Sequence, residues 1–342
     1  MKNNNQSPPF FSMTYEFLQV YLSKQCGRSP HTVESYRDAL SLFRRYIVET
    51  IGISIGKFTF AECTRDCMLG FMNYLSKLNS KASTRNHRLA ALRSYLAFVA
   101  DKDVSLQSIE LEVKRVPQCR MMKAEKTVLP EEAITAILKQ PPNTKMGLRD
   151  RTIMTLLYDS AARLAEVLGL SVSDVSVDSD NPYIRVNGKG SKERTVPISP
   201  QTAAHLAHYM SVYHGKGNSD RQLLFYTVIK NQISMISEAN VERFIRDYAR
   251  KARSSCPSIP DRVHPHMFRR ARATQLYQNG VSLPVVSRLL GHASLETTRL
   301  YAQPSLQMLR EAIESVETLK QKAEKPIWEG DEATMAKLSG LR

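Results

Sequence analysis

His292 and Tyr301 stand nine residues apart in LLGHASLETTRLYA, residues 289–302, separated by a short polar stretch with Ser294, Thr297 and Thr298. Three other stretches carry residues of complementary chemistry. SAARLAEVLGL places Arg163 where one helix gives way to the next, and NGKGSKER places Lys189 at a glycine-flanked turn. HPHMFRR carries His266 and Arg269, three apart and so on one helix face. Attack on a phosphodiester builds a five-coordinate phosphorus with two charged non-bridging oxygens. Two planar guanidinium groups match those oxygens with paired hydrogen bonds and supply charge stabilisation without a metal. A tyrosine hydroxyl can attack phosphorus and hold the bond as a covalent ester. A lysine suits protonation of the departing 5′-oxygen. The set therefore suits metal-independent phosphoryl transfer through a phosphotyrosine, with no cofactor.

Duller readings of the same residues stand beside this one. The histidine and tyrosine can be half-buried aromatics of a helix pair. His264, His266 and His292 could bind zinc, but no cysteine or carboxylate stands at ligand spacing. NGKGSKER lacks the spacing of a nucleotide-binding loop.

The elements that must position these groups are mostly helical. SPHTVESYRDALSLFRRYIVE has Ser29 as N-cap, Pro30 in the first turn, and Val33, Tyr36, Leu40, Phe43 and Ile47 at helical spacing. STRNHRLAALRSYLAFVA repeats the design, with Ser83 or Thr84 as cap and Arg85, His87, Arg88 and Arg93 on its polar side. Residues 101–127 break the periodicity, contain Pro117, and read as an extended basic linker with Lys114 and Arg115. A second unit starts at Val128. In it a long helical stretch is interrupted around Asp159–Ala161. YIRVNGKGSKERTVPIS alternates like a hairpin about Gly188-Lys189-Gly190, with Lys192 beside the turn. Two further helices end at Gly280 and Gly291. The tail from Glu311 reads as one helix, then a short charged end.

A net charge of +15 favours a polyanionic partner. The charge is concentrated: residues 51–100 carry seven Lys/Arg against two Asp/Glu, and residues 251–300 carry eight against two. Two basic segments fit a protein that grips a duplex from two sides. The five cysteines, Cys26, Cys63, Cys67, Cys119 and Cys256, form no C-x-x-C pair and read as reduced thiols. No apolar run reaches the length of a membrane span, and the N-terminus has no apolar signal core.

In order and spacing, A-A-R-L-A-E (Ala161–Glu166), G-K-G-S-K-E-R-T-V-P (Gly188–Pro197), H-M-F-R (His266–Arg269) and L-G-H…Y (Leu290–Tyr301) resemble the tyrosine recombinases, or phage integrase family. The catalytic resemblance runs from about Thr127 to Gln303, and the N-terminal helices look like that family's core-binding domain. It implies an α+β protein, mainly helical with a small hairpin or sheet, built as a two-domain C-shaped DNA clamp. Its parts are a helical core-binding domain (1–105), a basic linker (106–127), a catalytic domain (128–320) and a tail (321–342). It implies Tyr301 as nucleophile, Arg163 and Arg269 on the scissile phosphate, and Lys189 as general acid. His266 orients or exchanges protons on the nucleophile side, and His292 hydrogen-bonds the phosphate. Glu166 reads as a brace for the arginine-bearing turn. Departures are Ala162, where a glycine is common before the first arginine, and Arg270, where a histidine often follows the second.

DNA contacts are expected from Arg85, Arg88, Arg93, Lys114, Arg115, Lys192 and Arg270. The partners implied are double-stranded recombination sites and further copies of the chain, as a dimer and a synaptic tetramer. A sister recombinase or an accessory DNA-bending protein is a further partner. The location implied is the bacterial cytoplasm, at the nucleoid, in a simple Xer-like recombinase or a mobile-element integrase. The rival functions are a catalytically silent accessory DNA-binding protein and a type IB topoisomerase-like activity.

Overall fold

Ser29 accepts the Thr32 N–H at 3.3 Å, and Pro30 occupies the first turn, so α1 (Pro30–Tyr46) starts as its sequence indicates. The computed structural model describes residues 7–121, 127–188, 193–215, 222–292, 294–299, 301, 304, 308–314 and 332–340. The chain divides into two units, Met1–Glu125 and Lys126–Arg342.

In the first unit, α1 packs with α2 (Arg65–Lys77) and α3 (Ala82–Lys102). The core between them is aromatic: Phe10, Phe17, Phe43, Phe58, Phe60, Phe71 and Tyr95 are all buried. Phe43 meets Phe71 edge-on at 5.1 Å between ring centroids. α3 starts earlier than the Ser83 or Thr84 cap read from sequence. The Lys81 carbonyl already accepts the Arg85 N–H at 3.0 Å, so the first turn closes before either hydroxyl can cap it.

The extended linker needs a larger correction. Residues Gln107–Lys114 form α4, and Leu106, Val113 and Val116 are buried in the aromatic core. Pro117 and the basic run hid this short amphipathic turn. The terminal carbonyls of α4 need donors, and Arg93 supplies them. It donates to Lys114 O at 3.0 Å, to Val113 O at 3.4 Å and to Val116 O.

The second unit begins with α5 (Glu131–Leu138) and α6 (Lys145–Asp159), the latter capped by Thr144. The chain breaks at Ser160 and resumes as α7 (Leu164–Leu168). β1 (Val175–Ser176), β2 (Tyr183–Asn187) and β3 (Glu193–Pro197) form an antiparallel sheet in that order. The pairing runs from Tyr183↔Pro197 to Asn187↔Glu193, so the hairpin turn is centred on the expected segment. The turn residues 189–192, with Lys189 and Lys192, lie outside the described residues. After α8 (Pro200–Tyr213), β4 (Tyr226–Ile229) and β5 (Gln232–Met235) make a second hairpin. Its turn, Lys230 and Asn231, has φ of +49° and +62°.

α9 (Glu238–Ala252), α10 (Pro265–Gln278) and α11 (Leu283–Leu290) complete the scaffold. Its core joins Leu157, Ile184, Val196, Leu206, Phe225, Ile245 and Phe268. α12 (Leu295–Arg299), α13 (308–314) and α14 (Glu332–Leu338) follow. Within the helix expected from Glu311, residues 315–331 lie outside the described residues. Leu309 and Ile313 on α13 are exposed.

Candidate active site

Three chain turns converge at the start of α7. Ala161 adopts a left-handed backbone, φ +49°, at the break after α6. The conformation that favours glycine therefore falls at Ala161 and not at Ala162, where the sequence pattern had located it. A non-glycine residue here is strained by about 1 kcal/mol or more. The strained peptide is held: Arg269 Nη1 donates to the Ala161 carbonyl at 2.6 Å. Arg269 Nη2 donates to Leu290 O at 2.6 Å and lies 3.0 Å from His292 Nε2. Arg269 is thus fully buried and joins α6, α10 and the end of α11. Its Nε is buried without a partner among the described residues. Burial, then the charge of Arg163, lowers its pKa to about 10, so it stays a cation at neutral pH.

Arg163 leaves the same turn beside Glu166. The Glu166 carboxylate accepts the Arg163 N–H at 2.9 Å and its Nη1 at 2.7 Å. It also takes a paired contact from Arg194, Nη1 at 3.0 Å and Nη2 at 2.7 Å. Burial pushes the Glu166 pKa up, but hydrogen bonds from Arg194 and Arg163 outweigh that and hold it at about 2. One carboxylate thereby braces the arginine turn, as read from sequence, and also ties it to β3.

Arg194 escaped the sequence reading, although it lies in the quoted G-K-G-S-K-E-R segment. Its Nε donates to Leu289 O at 3.2 Å. It also crowds Gly291. That residue ends α11 at φ +62°, and a Cβ there would meet the Arg194 guanidinium at 2.9 Å. The strand leading from Lys189 is therefore fastened to both the Arg163 turn and the loop bearing His292.

His292 is half-buried. Burial, then Arg269, Arg163, His266 and Arg194, lower its pKa to about 4, so the ring is neutral at physiological pH. Tyr301 stacks on it with ring centroids 6.0 Å apart. The Tyr301 side chain is buried in a small apolar cluster with Ala161, Ala273, Val286 and Leu290. Beside these groups lies a cleft of about 300 Å³, lined by Arg163, Arg269, His266, His264, Glu238 and Glu242. The structure thus brings together Arg163, His266, Arg269, His292 and Tyr301. Among the described residues, no three His, Cys, Asp or Glu side chains are grouped to hold a metal.

The residues expected on DNA divide into two groups. Lys114 and Arg115 are exposed, Lys114 pairing with Glu110 at 3.1 Å. Arg85 is half-buried. Arg88 donates to Ser35 O at 3.0 Å, and Arg93 caps α4, so both are turned inward. Arg270 is buried and donates to Thr127 O at 3.0 Å. It fixes the segment entering α5, a use of its charge that leaves its Nη1 directed at the protein.

Residues 127–308 match the phage integrase family, and residues 16–103 match the N-terminal SAM-like domain of phage integrases. The chain is 32% identical over 311 residues to tyrosine recombinase XerC of Myxococcus xanthus, covering 88% of this chain and 96% of that protein. It is 28% identical over 312 residues to tyrosine recombinase XerA of Pyrococcus furiosus, covering 90% and 96%. Among solved structures, XerH recombinase bound to its difH substrate superposes with a TM-score of 0.63 at 22% identity, over 86% of this chain and 83% of that one. The Tn1549 transposon integrase on a circular-intermediate DNA superposes with a TM-score of 0.66 at 12% identity, over 89% and 99%.

Proposed function

The chain belongs to the phage integrase family, the tyrosine recombinases, and from that membership we propose how its own residues cut and rejoin DNA. It is a site-specific recombinase of Xer-like type, acting on double-stranded DNA as a dimer. The observation that carries the residue assignment is the contact chain Arg269–His292–Tyr301, closed at the break after α6.

Arg163 and Arg269 hold the scissile phosphate at the cleft that both line. The Tyr301 oxygen attacks phosphorus, the P–O5′ bond breaks, and the DNA 3′ end becomes a phosphotyrosine ester. Lys189 gives the departing O5′ its proton. The tie from Arg194 to Glu166 keeps the base of its hairpin in place. His266, at the cleft mouth, exchanges the proton on the tyrosine side. The reverse attack by a 5′-hydroxyl from a second duplex exchanges strands. A dimer on each site and a tetramer across two sites supply the active sites this requires.

No helix among the described residues is long and apolar enough to cross a membrane. The proposed location is the cytoplasm, on chromosomal or mobile-element DNA. The family comparisons favour recombination over the silent accessory and topoisomerase readings. A nicked suicide duplex and a two-site exchange assay test the assignment together. The wild type should form a covalent adduct and exchange strands. Tyr301→Phe should bind the duplex equally well and do neither. An adduct of undiminished yield in that variant would move the nucleophile elsewhere.

A further inference from the structure

Thr298 has no part in the chemistry above, yet it is wholly buried one helical turn before Tyr301. Its Oγ1 lies 2.8 Å from His292 Nδ1. Its carbonyl accepts the Tyr301 N–H at 2.9 Å. One residue thus contacts the ring of His292 and the backbone of the nucleophile.

The proton on His292 can be placed from its neighbours. Nε2 lies 3.0 Å from Arg269 Nη2. A guanidinium nitrogen only donates, so Nε2 accepts and carries no proton. A neutral imidazole with a bare Nε2 has its proton on Nδ1. The ring is neutral, because burial and the charges of Arg269, Arg163, His266 and Arg194 disfavour the cation. Nδ1–H therefore donates to Thr298 Oγ1. The hydroxyl is the acceptor that this Nδ1–H requires.

We infer that Thr298 is a positioning residue: it holds His292 with Nδ1 protonated and Nε2 bare toward Arg269, and ties that ring to the backbone of Tyr301. In the free protein this tautomer sets the His292 ring against the Arg269 guanidinium and so helps to align it. The inference rests on the assignment of Arg269 and Tyr301 to the reaction, but the tautomer itself is read in the free protein.

The test uses the full chain labelled with ¹⁵N-histidine, with His292→Gln to assign the resonance. Two-bond ¹H–¹⁵N correlation reports which ring nitrogen carries the proton. Suicide-substrate cleavage is measured on the same variants. Wild type and Thr298→Ser should both show His292 protonated at Nδ1 and cleave at similar rates. Thr298→Val keeps the shape and removes the acceptor. It should show the Nδ1–H losing its hydrogen-bonded shift and cleavage falling about tenfold, the scale of one lost hydrogen bond, at unchanged duplex affinity. Nε2–H in the wild type would overturn the inference. So would full cleavage by Thr298→Val, or a Thr298→Ser defect as deep as that of Thr298→Val. If Tyr301→Phe still formed the adduct, the reaction assignment would fail while the tautomer result stood.

Discussion

The two units bury different kinds of side chain. Among the described residues, every buried charged or polar side chain lies in the second unit, from Arg149 and Asp150 to Thr298. The buried set of the first unit is apolar and aromatic, and its cations lie at the surface or brace backbone carbonyls. Desolvating Arg269 and Glu166 is costly, and replacing such groups by apolar ones often stabilises a protein. Packing alone does not account for that network. It fixes donors at the cleft before substrate arrives, which is what charge stabilisation in a transition state needs. The first unit is held by packing, and the second accepts a stability cost for placement.

The largest expected effect falls on that placement. Arg269→Ala should lower single-turnover cleavage by about 10³-fold, the scale of a lost oxyanion donor, with duplex binding nearly unchanged. Arg269→Lys should not restore it, because an ammonium cannot reach Ala161 O, Leu290 O and His292 together. A loss below tenfold would place Arg269 with the structural residues and break the contrast. The matching change in the first unit is Phe43→Ala, in the centre of the aromatic core. It should cost about 3–5 kcal/mol in denaturant unfolding, while folded protein at saturating duplex cleaves at the wild-type rate.

Glu166→Ala should do both kinds of damage. Removing it leaves the half-buried Arg194 uncompensated, at about 3 kcal/mol, and releases β3 from the Arg163 turn, so cleavage falls as well. Acid should weaken the second unit first. The Glu166 pKa is depressed from 4.5 to about 2, so its stabilisation is full above pH 4.5 and is lost as pH falls toward 2. His292 is depressed from 6.5 to about 4. The unfolded chain therefore binds its proton first, and stability falls between pH 6.5 and 4. Tm measured against pH in wild type and His292→Gln checks this. The wild type should show the steeper fall in that window, and parallel curves would remove His292 from the network.

The residues legible in the sequence are those whose chemistry is local. Ser29, Pro30 and Gly291 mark helix ends through their own backbone preferences. Arg163, His266, Arg269, His292 and Tyr301 are recognisable by type and order. Residues defined by a distant partner were not legible. Arg194 lies 28 positions from its partner Glu166, whose bracing role was legible only toward the neighbouring Arg163, and Thr298 looks like any polar residue between His292 and Tyr301. Arg93 was read as a DNA contact because a one-sign charge run shows no carbonyls. The uncapped end of α4, itself hidden by Pro117, is what turns the side chain inward. The β4–β5 hairpin was missed because Lys230 is an unusual occupant of a left-handed turn position, and Asn231 alone is a weak signal.

The smallest expected effects sharpen the same contrast within the first unit. Arg115 is exposed, so Arg115→Ala should reduce the salt slope of duplex binding by about 1 and leave stability unchanged. Arg93→Ala should instead cost about 1–3 kcal/mol of stability, the penalty for uncapped carbonyls, and leave the slope unchanged. Salt titrations and denaturant curves on both variants check the pair. Exchanged outcomes would mean that Arg93 reaches the phosphates.

Mapping the covalent link tests the assignment of the active site most directly. The full chain is trapped on a nicked suicide duplex in excess EDTA. The adduct is digested, and the DNA-bearing peptide is identified by mass spectrometry. The expected result is one peptide joined through Tyr301 to a 3′-phosphate, with a free 5′-hydroxyl on the released strand. A link through Tyr277, a 5′-phosphoryl linkage, or an adduct that forms only after magnesium is added would contradict it.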